Sequence, residues 1–197
     1  MPAGGAELIF FVGPRACGKT TTGGQLARQL ALPFEDTDVC LQRDLGMSVA
    51  QIVAERGWGY FRELESVALR EVAGRLAAGG GIIATGGGMV LKAENRAYMR
   101  SMGRVFFLSA PARLLAARLA ADPQGTLRPP LTCAPAKDEV PLVLAERDLL
   151  YRETAHHILD AACSPEKICR RIAAILRNCP NPGKQFFTVV KKNSDTL

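Results

Sequence analysis

The chain has 197 residues, of which 48% are hydrophobic and 22% charged, a composition typical of one folded domain with a single core. Its apolar runs are far shorter than the roughly 20 residues of a membrane-spanning helix, so no membrane association is expected. The formal net charge of +6 suits anionic small molecules. Because no basic stripe interleaves with aromatic residues, the charge does not indicate nucleic-acid binding.

The N-terminal segment and the cysteines both bear on the cellular compartment. The start MPAGGAELIFFVG has no basic region ahead of its apolar run, so no signal peptide is predicted. The six cysteines are scattered, without a C-x-x-C pair or a metal-ligand spacing. This pattern favours free thiols in a reducing compartment, and we expect a cytoplasmic protein.

Short apolar runs alternate with amphipathic segments in the first half of the chain. Ser48 is suited to begin a helix as its N-cap, and Gly57 to end it. The predicted strands are 7–12, 32–36 and 82–85, and the predicted helices are 19–30, 48–56 and 60–76. The apolar side chains of the third helix are Leu64, Val67, Leu69, Val72 and Leu76.

The second half continues this alternation, which favours an α/β fold with a parallel sheet covered by helices on both faces. A loop rich in proline and glycine interrupts it at 122–135, and residues 179–197 break the pattern. We expect these last residues to form a flexible tail, although FFTVV within them also fits an edge strand. The predicted strands are 104–108 and 157–159, and the predicted helices are 94–102, 111–121, 139–154 and 165–177.

The segment GPRACGKT at residues 13–20 fits G-x-x-x-x-G-K-[ST] and lies between a predicted strand and a predicted helix. In that context backbone N–H groups of the loop converge on phosphate oxygens, and the helix adds its positive N-terminal end. Lys19 is expected to reach the β- and γ-phosphates, and the Thr20 hydroxyl to ligate Mg²⁺. Cys17, inside the loop, is either a small core residue or a thiol facing the phosphates.

The loop alone does not name the reaction. A GTPase is not indicated, because N-K-x-D is absent and the D-x-x-G at 122–125 falls in the proline-rich loop. Asp36 and Asp38 end a predicted strand, where the carboxyl ends of parallel strands form a ligand crevice. On an extended chain the two point the same way. One would serve Mg²⁺ and the other an acceptor hydroxyl, unless either simply caps a helix.

Further polar residues fit the acceptor side of such a crevice. Arg62 and Glu65 are spaced i, i+3, which suits either a surface ion pair or a carboxylate that orients a guanidinium toward a substrate carboxylate. The glycines of TGGG at 85–88 let the backbone close against a substrate. Arg128 in the proline-rich loop is either solvated or a lid arginine. The spacing of Arg147 and Arg152 does not choose between them, and the two neighbouring histidines, His156 and His157, are interpreted as structural.

The ordered motifs GPRACGKTT, FEDTD, FRELE, ATGGG, LRPPLT and ERDLLYRETAH resemble the shikimate kinase family over residues 7–177. The resemblance implies a P-loop kinase fold with a five-stranded parallel sheet in one domain, 1–178. It also implies a substrate-binding region at about 36–64 and a lid at about 119–135. The implied reaction moves the γ-phosphoryl group of ATP to the 3-hydroxyl of shikimate, with Mg²⁺ as cofactor. We expect a monomer.

The resemblance also assigns roles to individual residues. Asp38 would be the base, Lys19 and the lid arginine Arg128 would complete the catalytic set, and Arg147 rather than Arg152 would bind the substrate carboxylate. Mg²⁺ would be held by Thr20 and Asp36. The implied ATP-binding residues are Gly13, Pro14, Arg15, Ala16, Cys17, Gly18, Lys19, Thr20, Thr21, Arg118 and Arg128. The implied shikimate-binding residues are Asp38, Arg62, Glu65, Gly86, Gly87, Gly88 and Arg147.

Two features depart from the family pattern, and two other functions remain open. Ala16 stands where glycine is common, and the chain continues about twenty residues past the family's last helix. One alternative is another P-loop small-molecule or nucleoside monophosphate kinase. The other is a nucleotide-gated binding module without turnover, which would use the tail as an interaction arm.

Overall fold

A computed structural model describes residues 7–121 and 136–178 of the chain. Strands and helices alternate as the sequence predicts. The strands are β1 Leu8–Val12, β2 Phe34–Asp36, β3 Gly81–Ala84, β4 Gly103–Ser109 and β5 His157–Asp160. The helices are α1 Lys19–Leu30, α2 Thr37–Leu45, α3 Val49–Leu76, α4 Ala93–Met102, α5 Ala112–Ala120, α6 Ala136–Thr154 and α7 Pro165–Asn178, with a 3-10 turn at Met89–Leu91.

The five strands form one sheet in the order β2-β3-β1-β4-β5, and every strand pair is parallel. The predicted α/β architecture with a five-stranded parallel sheet is therefore confirmed. β1 lies at the centre, so the glycine loop that follows it opens at the middle of the carboxyl edge. The chain goes to one side of β1 for β2 and β3 and to the other for β4 and β5. Ligand crevices of open parallel sheets form at such a switch point.

Alternate side chains of β1 build the two halves of the core. Ile9 and Phe11 pack with side chains of α1, α5 and α7 on one face of the sheet. Leu8, Phe10 and Val12 pack with side chains of α3, α4 and α6 on the other. All five are at most 3% exposed, which is why the strand reads as a continuous apolar run rather than as an alternating pattern.

Helix α2 was not predicted from the sequence. Asp36 is its N-cap, and the Asp36 carboxylate accepts hydrogen bonds from the backbone N–H groups of Asp38 (3.0 Å) and Val39 (3.4 Å). Gly46, with φ 65°, ends the helix in the left-handed conformation that glycine adopts without steric cost. An aspartate cap ten residues before a glycine was the available signal.

Helix α3 contains the two predicted helices and the break between them. Ser48 caps it in a reciprocal capping box with Gln51, and Gly57 has non-helical angles of φ 78° and ψ 169°. The predicted apolar face is right for Leu69, Val72 and Leu76 but wrong for Val67, which is 51% exposed. Val67 is two, five and nine residues from Leu69, Val72 and Leu76, a spacing that puts it on the opposite side of a helix with 3.6 residues per turn.

Several expectations concern residues outside the described part of the chain. These are the lid loop at 122–135 with Arg128 and its D-x-x-G, and the tail at 179–197. Within residues 7–121 and 136–178, Cys17, Cys40, Cys163 and Cys169 are free thiols. In the same residues, the helices are too short or too polar to cross a membrane.

Candidate active site

The glycine loop between β1 and α1 has the geometry of a phosphate cradle. The Lys19 ammonium donates to the backbone oxygens of Gly13 and Pro14, each at 2.8 Å. Gly18 precedes α1 with φ 95°, and Ala16 has φ 60°. The left-handed angle at Ala16 explains why glycine suits this position, since a Cβ there costs about 1 kcal/mol or more.

Cys17 is 1% exposed and belongs to the core on the α1 side of the sheet. Its Sγ lies 3.6 Å from the Lys19 Nζ. A thiol buried among Leu26 and Ile168 fills space beneath the loop. Of the two interpretations of Cys17, the small core residue fits this burial.

A hydroxyl and a carboxylate meet beside the loop at the start of α1. The Thr20 hydroxyl donates to the Asp36 carboxylate at 2.7 Å, and both residues line the cavity that contains the glycine loop. Hard oxygen donors of this kind suit Mg²⁺, which uses one or two protein ligands together with phosphate oxygens and water. No cluster of three or more His, Cys, Asp or Glu residues that could hold a metal occurs within 7–121 and 136–178. In those residues the Thr20–Asp36 pair is the candidate Mg²⁺ site.

The same cavity extends toward β5, and we refer to it as the nucleotide cavity. Arg118 of α5 lines it and donates to the backbone oxygens of Ala16 (3.3 Å) and Ala161 (3.0 Å). Arg118 thereby joins the glycine loop to the turn after β5. Cys163 and Pro165, which follow β5, also line this cavity.

Asp36 and Asp38 do not point the same way, contrary to the expectation for an extended chain. The chain turns into α2 directly after Asp36, so the two carboxylates separate. Asp36 faces the nucleotide cavity as a helix cap. Asp38, only 4% exposed, lines a second cavity on the other side of the glycine loop.

This second cavity, the acceptor cavity, contains the predicted arginine–glutamate pair. The Arg62 guanidinium forms a salt bridge with the Glu65 carboxylate, which is 2% exposed. Arg62 also lies over the rings of Trp58 (5.0 Å) and Phe61 (5.5 Å). These contacts fix the guanidinium from two sides, by charge and by cation–π attraction.

Burial raises the pKa of Glu65 to about 7, an effect that the Arg62 guanidinium opposes and the nearby Asp38 carboxylate reinforces. The two carboxylates approach each other across Gly86. A Cβ on Gly86 would lie 2.5 Å from the Glu65 Oε1 and 2.6 Å from the Asp38 Oδ1. Glycine at 86 therefore makes room for the two acids.

The other glycines of this segment have distinct surroundings. A Cβ on Gly88 would overlap the Arg62 guanidinium, whereas a Cβ on Gly87 would have contacts no closer than 3.6 Å. The Gly86 N–H donates to the Thr37 hydroxyl at 3.2 Å, which ties the segment to α2. Gly86 and Gly88 thus serve the protein's own side chains, in addition to the close backbone approach that the sequence predicts.

Helix α6 supplies the opposite wall of the acceptor cavity. Arg147 is 7% exposed and lines the cavity. Its Nε has no hydrogen-bond partner among the described residues and lies 3.7 Å from the exposed Glu146 carboxylate. Arg152 instead pairs with Asp148 at the surface, at 2.5 Å, so the structure separates two arginines that the spacing left equivalent.

Trp58 and Tyr151 are among the residues of this cavity that sequence reasoning missed. The Tyr151 hydroxyl donates to the Gly87 backbone oxygen at 2.6 Å, and burial raises its pKa, so it stays a donor. Tyr151 lies one helical turn after Arg147, which was the available signal. Trp58, the sole tryptophan, stands four residues before Arg62. The two histidines lie apart from both cavities: the His156 Nδ1 accepts from the Val105 N–H at 3.0 Å, and His157 stacks on Phe106.

An α/β fold with a glycine loop at its central strand, and two cavities that meet there, defines a P-loop small-molecule kinase. A family model described as shikimate kinase matches residues 15–177. A protein of Syntrophotalea carbinolica named shikimate kinase 2 is 49% identical over 171 residues, 87% of this chain and 97% of that protein. The chain belongs to the shikimate kinase family.

Solved structures agree with this assignment. Shikimate kinase from Acinetobacter baumannii in complex with shikimate matches with a TM-score of 0.80 and 32% identity, over 88% of this chain and 94% of that one. A gluconokinase from Sinorhizobium meliloti matches with a TM-score of 0.55 and 17% identity, over 94% and 98%. At that identity the second likeness shows the fold alone.

Proposed function

We propose that this protein transfers the γ-phosphoryl group of ATP to the 3-hydroxyl of shikimate, giving shikimate 3-phosphate and ADP. The observation that carries the proposal is the acceptor cavity beside the phosphate loop, where the guanidinium groups of Arg62 and Arg147 and the buried Asp38 carboxylate line one space. Arg62 and Arg147 suit a carboxylate ligand, since planar guanidinium groups bind carboxylates in a bidentate way. Asp38 suits a hydroxyl.

The nucleotide cavity would hold ATP along its length. Backbone N–H groups of the glycine loop and the start of α1 suit the phosphates. Lys19 now donates to two loop oxygens and would exchange them for the β- and γ-phosphates. Arg118 and the turn after β5 would bound the adenine. Thr20 and Asp36 would hold Mg²⁺, which when bound neutralises charge on the phosphate oxygens.

Asp38 would act as the general base. Its carboxylate would accept the proton of the 3-hydroxyl while that oxygen attacks the γ-phosphorus, and ADP would leave on the opposite side. Because a loose phosphoryl transition state needs little covalent assistance, positioning supplies most of the acceleration. Glu65 would position Arg62, and the fixed guanidinium would in turn position the substrate carboxylate.

Two further parts of the proposal concern the lid arginine and the oligomeric state. Arg128 would reach the phosphates from the lid at about 119–135 and stabilise transition-state charge. One chain supplies residues to both cavities, so we propose that a monomer is sufficient for catalysis. Size-exclusion chromatography at assay concentration checks this, and activity confined to a dimer would contradict it.

A coupled assay of ADP release over a panel of acceptors tests the function. Shikimate should drive ADP release far better than gluconate or AMP, because of the three only shikimate carries hydroxyl groups and a carboxylate on one ring. Mass spectrometry of the product should show one added phosphate on shikimate. Faster turnover with AMP would assign the protein to the nucleoside monophosphate kinases, and ATP binding without turnover on any acceptor would favour the binding module.

A further inference from the structure

The nucleotide cavity and the acceptor cavity have two lining residues in common among the described residues, Arg15 and Leu119. Arg15 belongs to the glycine loop and Leu119 to α5. These two residues therefore mark the junction through which a phosphoryl group would pass from nucleotide to acceptor. Only one of them carries charge.

Among the described residues, the other cations of the two cavities each line one cavity and not the other. Lys19 and Arg118 line the nucleotide cavity, whereas Arg62 and Arg147 line the acceptor cavity. The transferring group carries its charge on three equatorial oxygens at the moment when it belongs to neither substrate. Of the cations in the part of the chain that the structure describes, the one at the junction is therefore best placed to meet that charge.

The Arg15 side chain leads toward the glycine segment of the acceptor cavity. Its Cγ lies 3.8 Å from the position that a Cβ on Gly87 would occupy, and its backbone nitrogen lies 3.6 Å from the same point. A phosphate-binding loop needs only the backbone N–H at this position. The motif does not specify the side chain at this position, so the guanidinium is not part of the backbone cradle itself.

We propose that the Arg15 guanidinium contacts the phosphoryl group in transit between ATP and the acceptor hydroxyl and stabilises its transition-state charge. This inference rests on the function proposed above. The bond from the γ-phosphorus to the β–γ bridging oxygen breaks, the bond to the acceptor oxygen forms, and the acceptor proton goes to Asp38. Arg15 keeps its protons and its charge throughout and acts by hydrogen bonding alone.

Steady-state kinetics of R15Q and R15K test the proposal, with R113Q on the exposed side of α5 as the matched control. R15Q should lower kcat by about 10²-fold or more with both KM values within about threefold, because the lost contact exists mainly in the transition state. R15K should recover only part of kcat, since an ammonium lacks the planar fork. R113Q should match the parent. A kcat of R15Q within threefold of the parent, or a loss confined to the KM for ATP, overturns the inference.

A binding experiment separates the transition-state contact from damage to the loop. Calorimetry would measure ADP affinity with Mg²⁺ and shikimate, without and with aluminium fluoride as the mimic of the transferring group. In the parent, fluoride should tighten ADP binding, and in R15Q this tightening should be lost while ADP affinity without fluoride is kept. Equal weakening under both conditions overturns the inference. If the parent phosphorylates shikimate and R15Q is equally active, the inference is refuted and the proposed function stands. If the parent is inactive on shikimate, the proposed function and the inference are both refuted.

Discussion

Asp36 and Asp38 are chemically identical and two residues apart, yet the fold gives them different tasks. Asp36 caps α2 and meets Thr20, while Asp38 is buried against Gly86 in the acceptor cavity. The difference arises because the helix begins between them and rotates the second side chain away from the first. At the scale of single residues, role follows from the local turn of the backbone and not from residue type.

The proposed division of labour between base and binding group can be separated kinetically. D38N keeps the shape of the side chain but removes the proton acceptor, so kcat should fall by about 10²-fold or more. R62A removes a contact present in both ground and transition states, so the KM for shikimate should rise by roughly 10-fold or more with kcat less affected. Exposed Arg56, also on α3, provides the control R56A. Equal losses of kcat alone in D38N and R62A would contradict the division.

Glu65 should leave a signature in the pH dependence of stability. Its pKa is about 7 in the folded protein and about 4.3 in an unfolded chain, so the folded state holds the proton more tightly. Its contribution to stability is therefore complete below about pH 4 and is lost as the pH rises to about 7. E65Q keeps the shape without titrating. The free energy of unfolding of the parent relative to E65Q should fall by on the order of 3 kcal/mol over this window.

Urea unfolding of both proteins at pH 5, 6, 7 and 8 measures this difference. The two curves should diverge between pH 5 and 7 and run parallel above. A difference that stays constant from pH 5 to 8 would show that Glu65 titrates alike in both states and would remove the physical basis for its raised pKa.

At the scale of elements, Gly57 breaks α3 immediately before the part of the helix that lines the acceptor cavity. Gly57 turns the chain immediately before Trp58, and the helix then carries Phe61, Arg62 and Glu65 along the acceptor cavity. A second glycine, Gly59, lies within the helix, and a Cβ would meet nothing within 4 Å at either position. Alanine at Gly57 or Gly59 therefore tests the backbone conformation alone, because the added methyl group makes no packing contact at either position.

Alanine at these two glycines should change stability in opposite directions. G57A forces a Cβ into a region of φ and ψ that is essentially restricted to glycine, at a cost of about 1–3 kcal/mol. G59A lowers the conformational entropy of the unfolded chain and should stabilise the protein by up to about 1 kcal/mol. Thermal melting of the parent and both variants gives the answer. A stabilised G57A would mean that the break closes into continuous helix.

At the scale of the whole molecule, the sheet order brings distant segments to one edge. β1, β2 and β3 lie side by side, so the glycine loop, Asp38 and the glycine segment at 86–88 converge although they are separated in sequence. Helix α6 adds Arg147 and Tyr151 from the other end of the chain. The family match ends at residue 177, and the relative from Syntrophotalea carbinolica is 97% covered by the 171 aligned residues.

That boundary supports the prediction that residues 178–197 are dispensable. A chain ending at Arg177 should keep the parent's kcat and melting temperature. A chain ending at Arg171 provides the contrast, because it also removes Ile172, which is fully buried on the α1 side of the sheet, and should lose several kcal/mol. A large loss in the chain ending at Arg177 would show that FFTVV packs on the core.

The sequence by itself determined the succession of strands and helices, the phosphate loop and the family. These are local properties: apolar runs, a helix cap at Ser48, a break at Gly57 and motifs read in order. It also pointed to Lys19, Arg62 and Glu65, because their spacing relates neighbours along one loop or one helix. Sequence reasoning failed at α2, which it did not predict although it offered a helix cap as one role for Asp36 or Asp38, and at Val67, which it placed on the wrong face of α3.

Only the tertiary structure decided which side chains share a cavity. It separated Asp36 from Asp38 and Arg147 from Arg152, because in each pair only one side chain, Asp38 or Arg147, lines the acceptor cavity that several elements enclose. It added Trp58 and Tyr151, whose contacts with Arg62 and Gly87 depend on how α3 and α6 pack. It also explained why residues 86 and 88 are glycine. The side chains that occupy the space beside them, Asp38, Glu65 and Arg62, come from α2 and α3. Packing between elements sets these distances, and a linear pattern does not contain them.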